Sequence, residues 1–168
     1  MNLVMVEQFL NTLDERTFSR HGENHFAADE LTSVDALAAW LEAHGLPSPE
    51  LSDSSLATAL TLRAALREVV AGDAPTVGLL GFPLRMAPDE SGELRLVADS
   101  GVAGLDVIIE TVAVAVASGR WSRLKLCAST DCHWAFYDTS RSGGGRWCSM
   151  EVCGNRHKTR TYRRRRAE

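Results

Sequence analysis

Residues 127–158 read CASTDCHWAFYDTSRSGGGRWCSMEVCGNRHK, and all four cysteines of the chain lie inside this stretch. Four residues separate Cys127 from Cys132, fifteen separate Cys132 from Cys148, and four separate Cys148 from Cys153. Two thiol pairs, each on a turn and joined by a loop long enough to bring the turns together, suit a tetrahedral ion. The expectation is one structural Zn²⁺ held by Cys127, Cys132, Cys148 and Cys153, because a four-thiolate shell leaves no position open for chemistry. Other readings of the same residues are a redox pair, two disulfides, or His133 replacing its neighbour Cys132 as a ligand. A thioredoxin-like motif needs two intervening residues, which neither pair has. Disulfides are disfavoured in a reducing cytosol. A module of about fifty residues with few aliphatic side chains buries too little surface to fold alone, and zinc can add about 10–16 kcal/mol of apparent folding energy.

The chain continues TRTYRRRRAE to residue 168. Cys153 is expected near the first turns of a C-terminal helix. On such a helix Arg156, Arg160, Arg163 and Arg164 share one face, and Lys158, Arg165 and Arg166 lie with Tyr162 around the adjacent one. No apolar stripe is long enough to bury, and like charges at i, i+4 repel, so the helix needs the zinc knot as its anchor. Arg141 and Arg146, in the loop between the cysteine pairs, extend the basic surface. The three glycines at 143–145 lack the Lys-Ser/Thr that ends a phosphate-cradling loop and read as a flexible loop tip. Trp134, Phe136 and Trp147 are expected to pack around the zinc turns.

Charge divides the chain. Residues 1–118 carry 6 Arg and no Lys against 18 Asp+Glu, a balance of −12, whereas residues 119–168 carry 12 Lys+Arg against 4 Asp+Glu, a balance of +8. The net charge of −4 hides this division. An acidic body joined to a basic end points to a polyanionic partner for the basic end, nucleic acid and most simply DNA. The lack of an 18-residue apolar run excludes a membrane-spanning helix, and the acidic N-terminal stretch is unlike a secretory signal, so a cytoplasmic location is expected.

The body reads as helical. Phe9, Leu10 and Leu13 share a face of a helix over Leu3–Leu13, and residues 14–30 are aperiodic and read as loop. Thr32 or Ser33 can cap a helix carrying Val34, Leu37, Ala38 and Leu41. A third helix from about Asp53 to Val70 buries Leu56, Ala59, Leu62, Leu66 and Val69, with Arg63 and Arg67 on another face. A β-hairpin follows with its turn at Asp89–Gly92. The last body helix spans about Val102–Ser118, with Leu105, Ile108, Ile109, Val112 and Val116 facing inward. The fold class is therefore mainly α with a short β-hairpin: a multihelical domain of residues 1–118, then a four-cysteine module of residues 121–168 ending in a basic helix. No catalytic constellation stands out. His21 and His25 in HGENH are spaced as a helical metal pair, but the polar, Gly-containing surroundings suit a loop and no HExxH forms, so no enzyme activity is expected.

The stretch Cys127–Arg166 resembles the CGNR zinc-finger family, through the first thiol turn, FYDTSR at Phe136–Arg141, RWCSM at Arg146–Met150 and CGNR at Cys153–Arg156 with Lys158 following. The body resembles the ABATE domain through FLNTLDER at Phe9–Arg16, DALAAWLEAHGL at Asp35–Leu46 and LRAALRE at Leu62–Glu68. The resemblance implies a stress-responsive bacterial transcriptional regulator with the four cysteines as zinc ligands. It departs from the family between SR and RWC, where Ser142 and three glycines stand in place of basic residues. DNA binding, with the body as sensor or partner-binding domain, is the leading expectation. An RNA-binding or protein-interaction module is the alternative. A homodimer reading two half-sites and a small-molecule effector of the body are further expectations that no motif specifies.

Overall fold

The computed structural model describes residues 3–20, 23–72 and 77–167. Four helices build the body: α1 (Val4–Asn11), α2 (Val34–Ala43), α3 (Asp53–Ala71) and α4 (Ala103–Ala117). Ser33 caps α2 by accepting from the Ala36 amide, and Ser52 and Ser55 close a reciprocal box at the start of α3. Phe9, Leu10, Leu37, Leu41, Leu62, Leu66, Leu105 and Ile108 are almost wholly buried and form the centre of the core. The helical spacing of these apolar side chains is what the burial follows.

Three positions depart from the helical reading. Val116 is 56% exposed on the last turn of α4, where Ala115 turns inward instead. Arg63 and Arg67, expected on a face away from the core, are buried at 5% and 6%. Each has partners waiting. Arg63 binds Asp29 and donates to the Thr12 hydroxyl at 2.9 Å, and Arg67 donates to the Leu10 carbonyl at 2.9 Å.

Among the described residues the strands come in four antiparallel pairs. Residues 14–30, read from sequence as loop, contain two short ones: β1 (Leu13–Asp14) pairs with β4 (Ala28–Asp29), and inside that pair β2 (Ser19–Arg20) pairs with β3 (Glu23–Asn24). Two-residue strands carry too few alternations to show a period of two in sequence. The expected hairpin is β5 (Leu84–Pro88) with β6 (Leu94–Ala98), registered from Leu84 opposite Ala98 to Pro88 opposite Leu94. The fourth pair, β7 (Leu124–Leu126) with β8 (Ala135–Tyr137), opens the cysteine module. It packs directly on the body, β8 against α1 and β7 against α3, and Leu124 and Ala135 belong to the same apolar core as the helices. The last helix, α5 (Asn155–Ala167), follows a π-helical turn over Met150–Gly154. No helix among the described residues is long and apolar enough to cross a membrane.

Candidate metal centre

The first thiol turn is the loop of the β7–β8 hairpin. The Cys127 amide donates to the Trp134 carbonyl at 2.9 Å, which extends the ladder, and the Cys132 amide donates to Ser129 at 2.9 Å, which tightens the turn. The second turn is built differently. Ser149 accepts from the Val152 amide at 3.3 Å, and the Gly154 amide reaches back to the Ser149 carbonyl at 3.0 Å across the π turn. Cys153 lies within this turn, with its sulfur 3.8 Å from that of Cys148. A Cβ on Gly154 would lie 2.8 Å from the Met150 sulfur, so a larger residue there would have to displace the Met150 side chain. The Ala128 amide donates to the Arg146 carbonyl at 2.9 Å and ties the two limbs together.

All four sulfurs lie within 4.8 Å of one another. Cys132 and Cys148 are 3.7 Å apart, Cys148 and Cys153 3.8 Å. Sulfurs about 2.3 Å from a tetrahedral ion sit about 3.8 Å from each other, so the cluster has the dimensions of a zinc–tetrathiolate shell. Cys127, Cys132 and Cys153 are buried and Cys148 half-buried; none is in a disulfide. Thiols this close cannot all ionise by themselves. The Cys132 and Cys148 thiols hold Cys127 well below the usual thiol range, and the same contacts push Cys132 and Cys148 up. Burial raises Cys153. A dication removes that conflict, and the donor set fits one structural zinc. Trp134, Phe136 and Trp147 pack around the sulfurs as expected. His133 turns away from them. Its Nδ1 lies 3.9 Å from Glu15.

The loop between the pairs is tied down. Asp138 is buried; its carboxylate accepts from Lys125 at 2.7 Å, from the Gly145 amide at 2.7 Å and from the Ser140 amide at 3.0 Å. The Lys125 ammonium and the Ser140 donors hold its carboxyl well below the usual carboxylate range. Lys125 also donates to the Gly143 and Gly145 carbonyls, and Arg123 to that of Ser140. Gly145 is needed because a Cβ there would lie 2.7 Å from Asp138 Oδ1. The glycine run read as a flexible tip is thus a close approach of backbone to a buried carboxylate.

Along α5 the cations fall into two groups. Arg156 is turned inward: it pairs with Asp131, donates to Ser129 and stacks on Phe18 with its guanidinium carbon 3.7 Å from the ring centre. Its Nη1 is buried with no hydrogen-bond partner among the described residues, and the negative face of Phe18 stands in for an acceptor. Arg160 reaches the same Asp131 at 2.6 Å while its side chain stays 58% exposed. Lys158, Arg163, Arg164 and Arg165 are exposed and form no ion pair among the described residues. Arg166 lies over Tyr162, and Arg146 over Trp147. Arg141 is exposed at the far side of the glycine loop.

Sequence reasoning missed the body's share of this site. Phe18 belongs to the sulfur cluster, and the Thr17 amide donates to the Asp131 carbonyl at 3.1 Å. Arg16 lies 4.0 Å over the Trp134 ring, and Arg67 donates to the His133 carbonyl at 3.1 Å. Asn11 makes a reciprocal pair with Ala135, 2.9 Å to its carbonyl and 2.8 Å from its amide. No local signal marks these residues, since their partners lie 66 or more positions away along the chain. His25 packs on Phe18, with ring centres 4.7 Å apart; His21 lies outside the described residues.

Two family models match. Residues 4–123 match ABATE, whose description is "Putative stress-induced transcription regulator", and residues 123–166 match the CGNR zinc finger. Both are of regulator or zinc-finger type. No curated protein matches the chain.

Proposed function

From the premise that the chain belongs to the ABATE family and ends in a CGNR zinc finger, we propose that it is a transcription regulator that binds duplex DNA through α5. The observation that carries this reading is the row of uncompensated cations on an anchored rod. Lys158, Arg163, Arg164 and Arg165 have no ion-pair partner among the described residues, while Asp131, Cys153 and Phe18 hold the first turns of the same helix. A charge array that the fold fixes in direction but leaves unneutralised suits a polyanion. Arg160 and Arg163 also border a cleft of about 500 Å³ between α5 and Thr17–Ser19, which Asp131 and Glu151 line as well. Arg156, spent on Asp131, positions the helix. Arg141 and Arg146, exposed in the loop of the same module, would add to the basic surface, and Arg166 extends the end of the rod. In this division of labour the cysteine module from about residue 121 touches nucleic acid, and the helical body receives the signal.

The test is fluorescence anisotropy on a labelled duplex across a salt series. With about five phosphate contacts, log K should fall with log salt at a slope of about −4 to −5. Changing Lys158, Arg163, Arg164 and Arg165 to Gln should flatten the slope by about 4 and abolish binding at physiological salt. An unchanged slope would remove α5 from the interface. Tyr162 is 60% exposed among these cations and offers a stacking face to an unpaired base. Tighter binding to structured RNA than to duplex DNA, lost on Tyr162→Ala, would turn the reading to RNA.

A further inference from the structure

We propose that Arg16, a residue of the acidic body, is a positioning cation of the zinc site: it offsets the charge of the metal–thiolate centre from outside and thereby sets how tightly zinc is held. Four thiolates around a divalent ion leave two negative charges in a pocket walled by Trp134, Phe136, Trp147 and Phe18. Such a centre, partly shut off from water, is steadied by a fixed positive charge nearby. Three cations of its own module are committed to carboxylates. Arg156 and Arg160 both answer Asp131, and Lys125 answers Asp138.

Arg16 arrives from the turn between β1 and β2. Asp14 fixes it in a bidentate pair, 2.8 Å from Nε to Oδ1 and 2.6 Å from Nη2 to Oδ2, and the Arg16 amide donates to the same carboxylate at 2.9 Å. The guanidinium then lies 4.0 Å over the face of Trp134, the residue two places after Cys132. The turn is itself docked on the centre, by Thr17 on the Asp131 carbonyl and by Phe18 among the sulfurs. The Asp14 hydrogen bond raises the affinity of Arg16 for its proton above the ordinary value, and burial opposes this. The guanidinium, and not the carboxylate, is the end of the pair that lies on Trp134, so the pair turns its positive end toward the ring beside the metal site. With its side chain 28% exposed, it sits at the rim of the centre.

The experiment uses full-length zinc-loaded protein with Arg16→Gln and Arg16→Lys. Zinc affinity is read by competition with a metallochromic chelator, and the sulfur-to-metal charge-transfer band is read after Co²⁺ substitution. Loss of an outer partner of a metal ligand typically weakens metal binding 10–100-fold. The Gln variant should hold zinc about tenfold more weakly, at the low end because Arg16 is partly solvated. Its Co²⁺ band should move to lower energy, since removing a cation makes the thiolates easier to oxidise. The Lys variant should stay near wild type in both. Wild-type zinc affinity in the Gln variant would overturn the proposal. So would equal weakening in Gln and Lys with the band unmoved, because that pattern reports packing on Trp134 and not charge. The band is read on the folded, metal-bound fraction, so it decides the matter even where the Gln variant is less stable.

Discussion

Asp131 sits where three parts of the molecule meet, and its side chain is only 18% exposed. It accepts from the Ser129 hydroxyl at 2.6 Å, from Arg156 and from Arg160 on α5, and its carbonyl takes the Thr17 amide of the body. Burial pushes the carboxyl up, but Ser129, Arg160 and the charge of Arg156 outweigh it and hold it below the ordinary value. A depressed folded pKa means that the contribution to stability is complete above the unfolded value of about 4 and drains away as pH falls through the folded one. Asp131→Asn should therefore loosen the start of α5 equally at pH 6 and pH 8, by about 2 kcal/mol, because Arg156 is left semi-buried without its counter-charge. Amide hydrogen exchange over residues 155–163 measures this, and unchanged protection would show that Cys153 and Phe18 anchor the helix without Asp131. The cysteines themselves were legible because ligand chemistry is written in residue type and spacing. Asp131 was not: a lone aspartate beside a ligand gives no sign of which arginines, 25 and 29 positions on, will turn back to it.

At the scale of elements, the helices follow from periodic apolar residues and capping serines, and the β5–β6 hairpin from its turn. The face assigned to α3 did not follow. Arg63 and Arg67 look like solvent residues beside a leucine stripe, yet a long side chain with five donors can cross a core boundary when carbonyls and carboxylates lie on the other side. Their partners come from α1, β4 and the loop at His133, which no pattern within α3 can disclose. Arg67 links the Leu10 and His133 carbonyls, one on each side of the junction between body and zinc turn. Arg67→Ala should cost about 3 kcal/mol in urea unfolding of the zinc-loaded protein, since two carbonyls lose a charged donor. Glu15→Gln, which removes only the 41% exposed partner of the same arginine, should cost less than about 1 kcal/mol. Equal losses would mean that the ion pair, and not the carbonyl bridge, is what Arg67 supplies.

The whole molecule is where composition misleads most about packing. The break in charge near residue 119 suggests a body and an appended finger, and the family matches meet at residue 123. Yet Leu124 and Ala135 lie in the body's core, and Phe18 lies among the sulfurs. Sequence shows where charge changes sign; it cannot show that apolar side chains on both sides of that change share one interior. Elements that share a core unfold together, so zinc should stabilise far more than the turns that bind it. A ligand held at about a thousand times its dissociation constant adds about 4 kcal/mol, and in a protein of this size each kcal/mol moves the melting temperature by about 2–4 °C. Stripping zinc with a strong chelator under reducing conditions should then lower the melting of the helical signal by about 10 °C or more, in one transition that carries α1 to α4 with it. Calorimetry beside circular dichroism distinguishes the outcomes. If the body melts at an unchanged temperature while only the signal of α5 disappears, the two halves are separate folding units, and the buried contacts of Asn11, Phe18 and Arg67 with the zinc turns add nothing to the stability of the body.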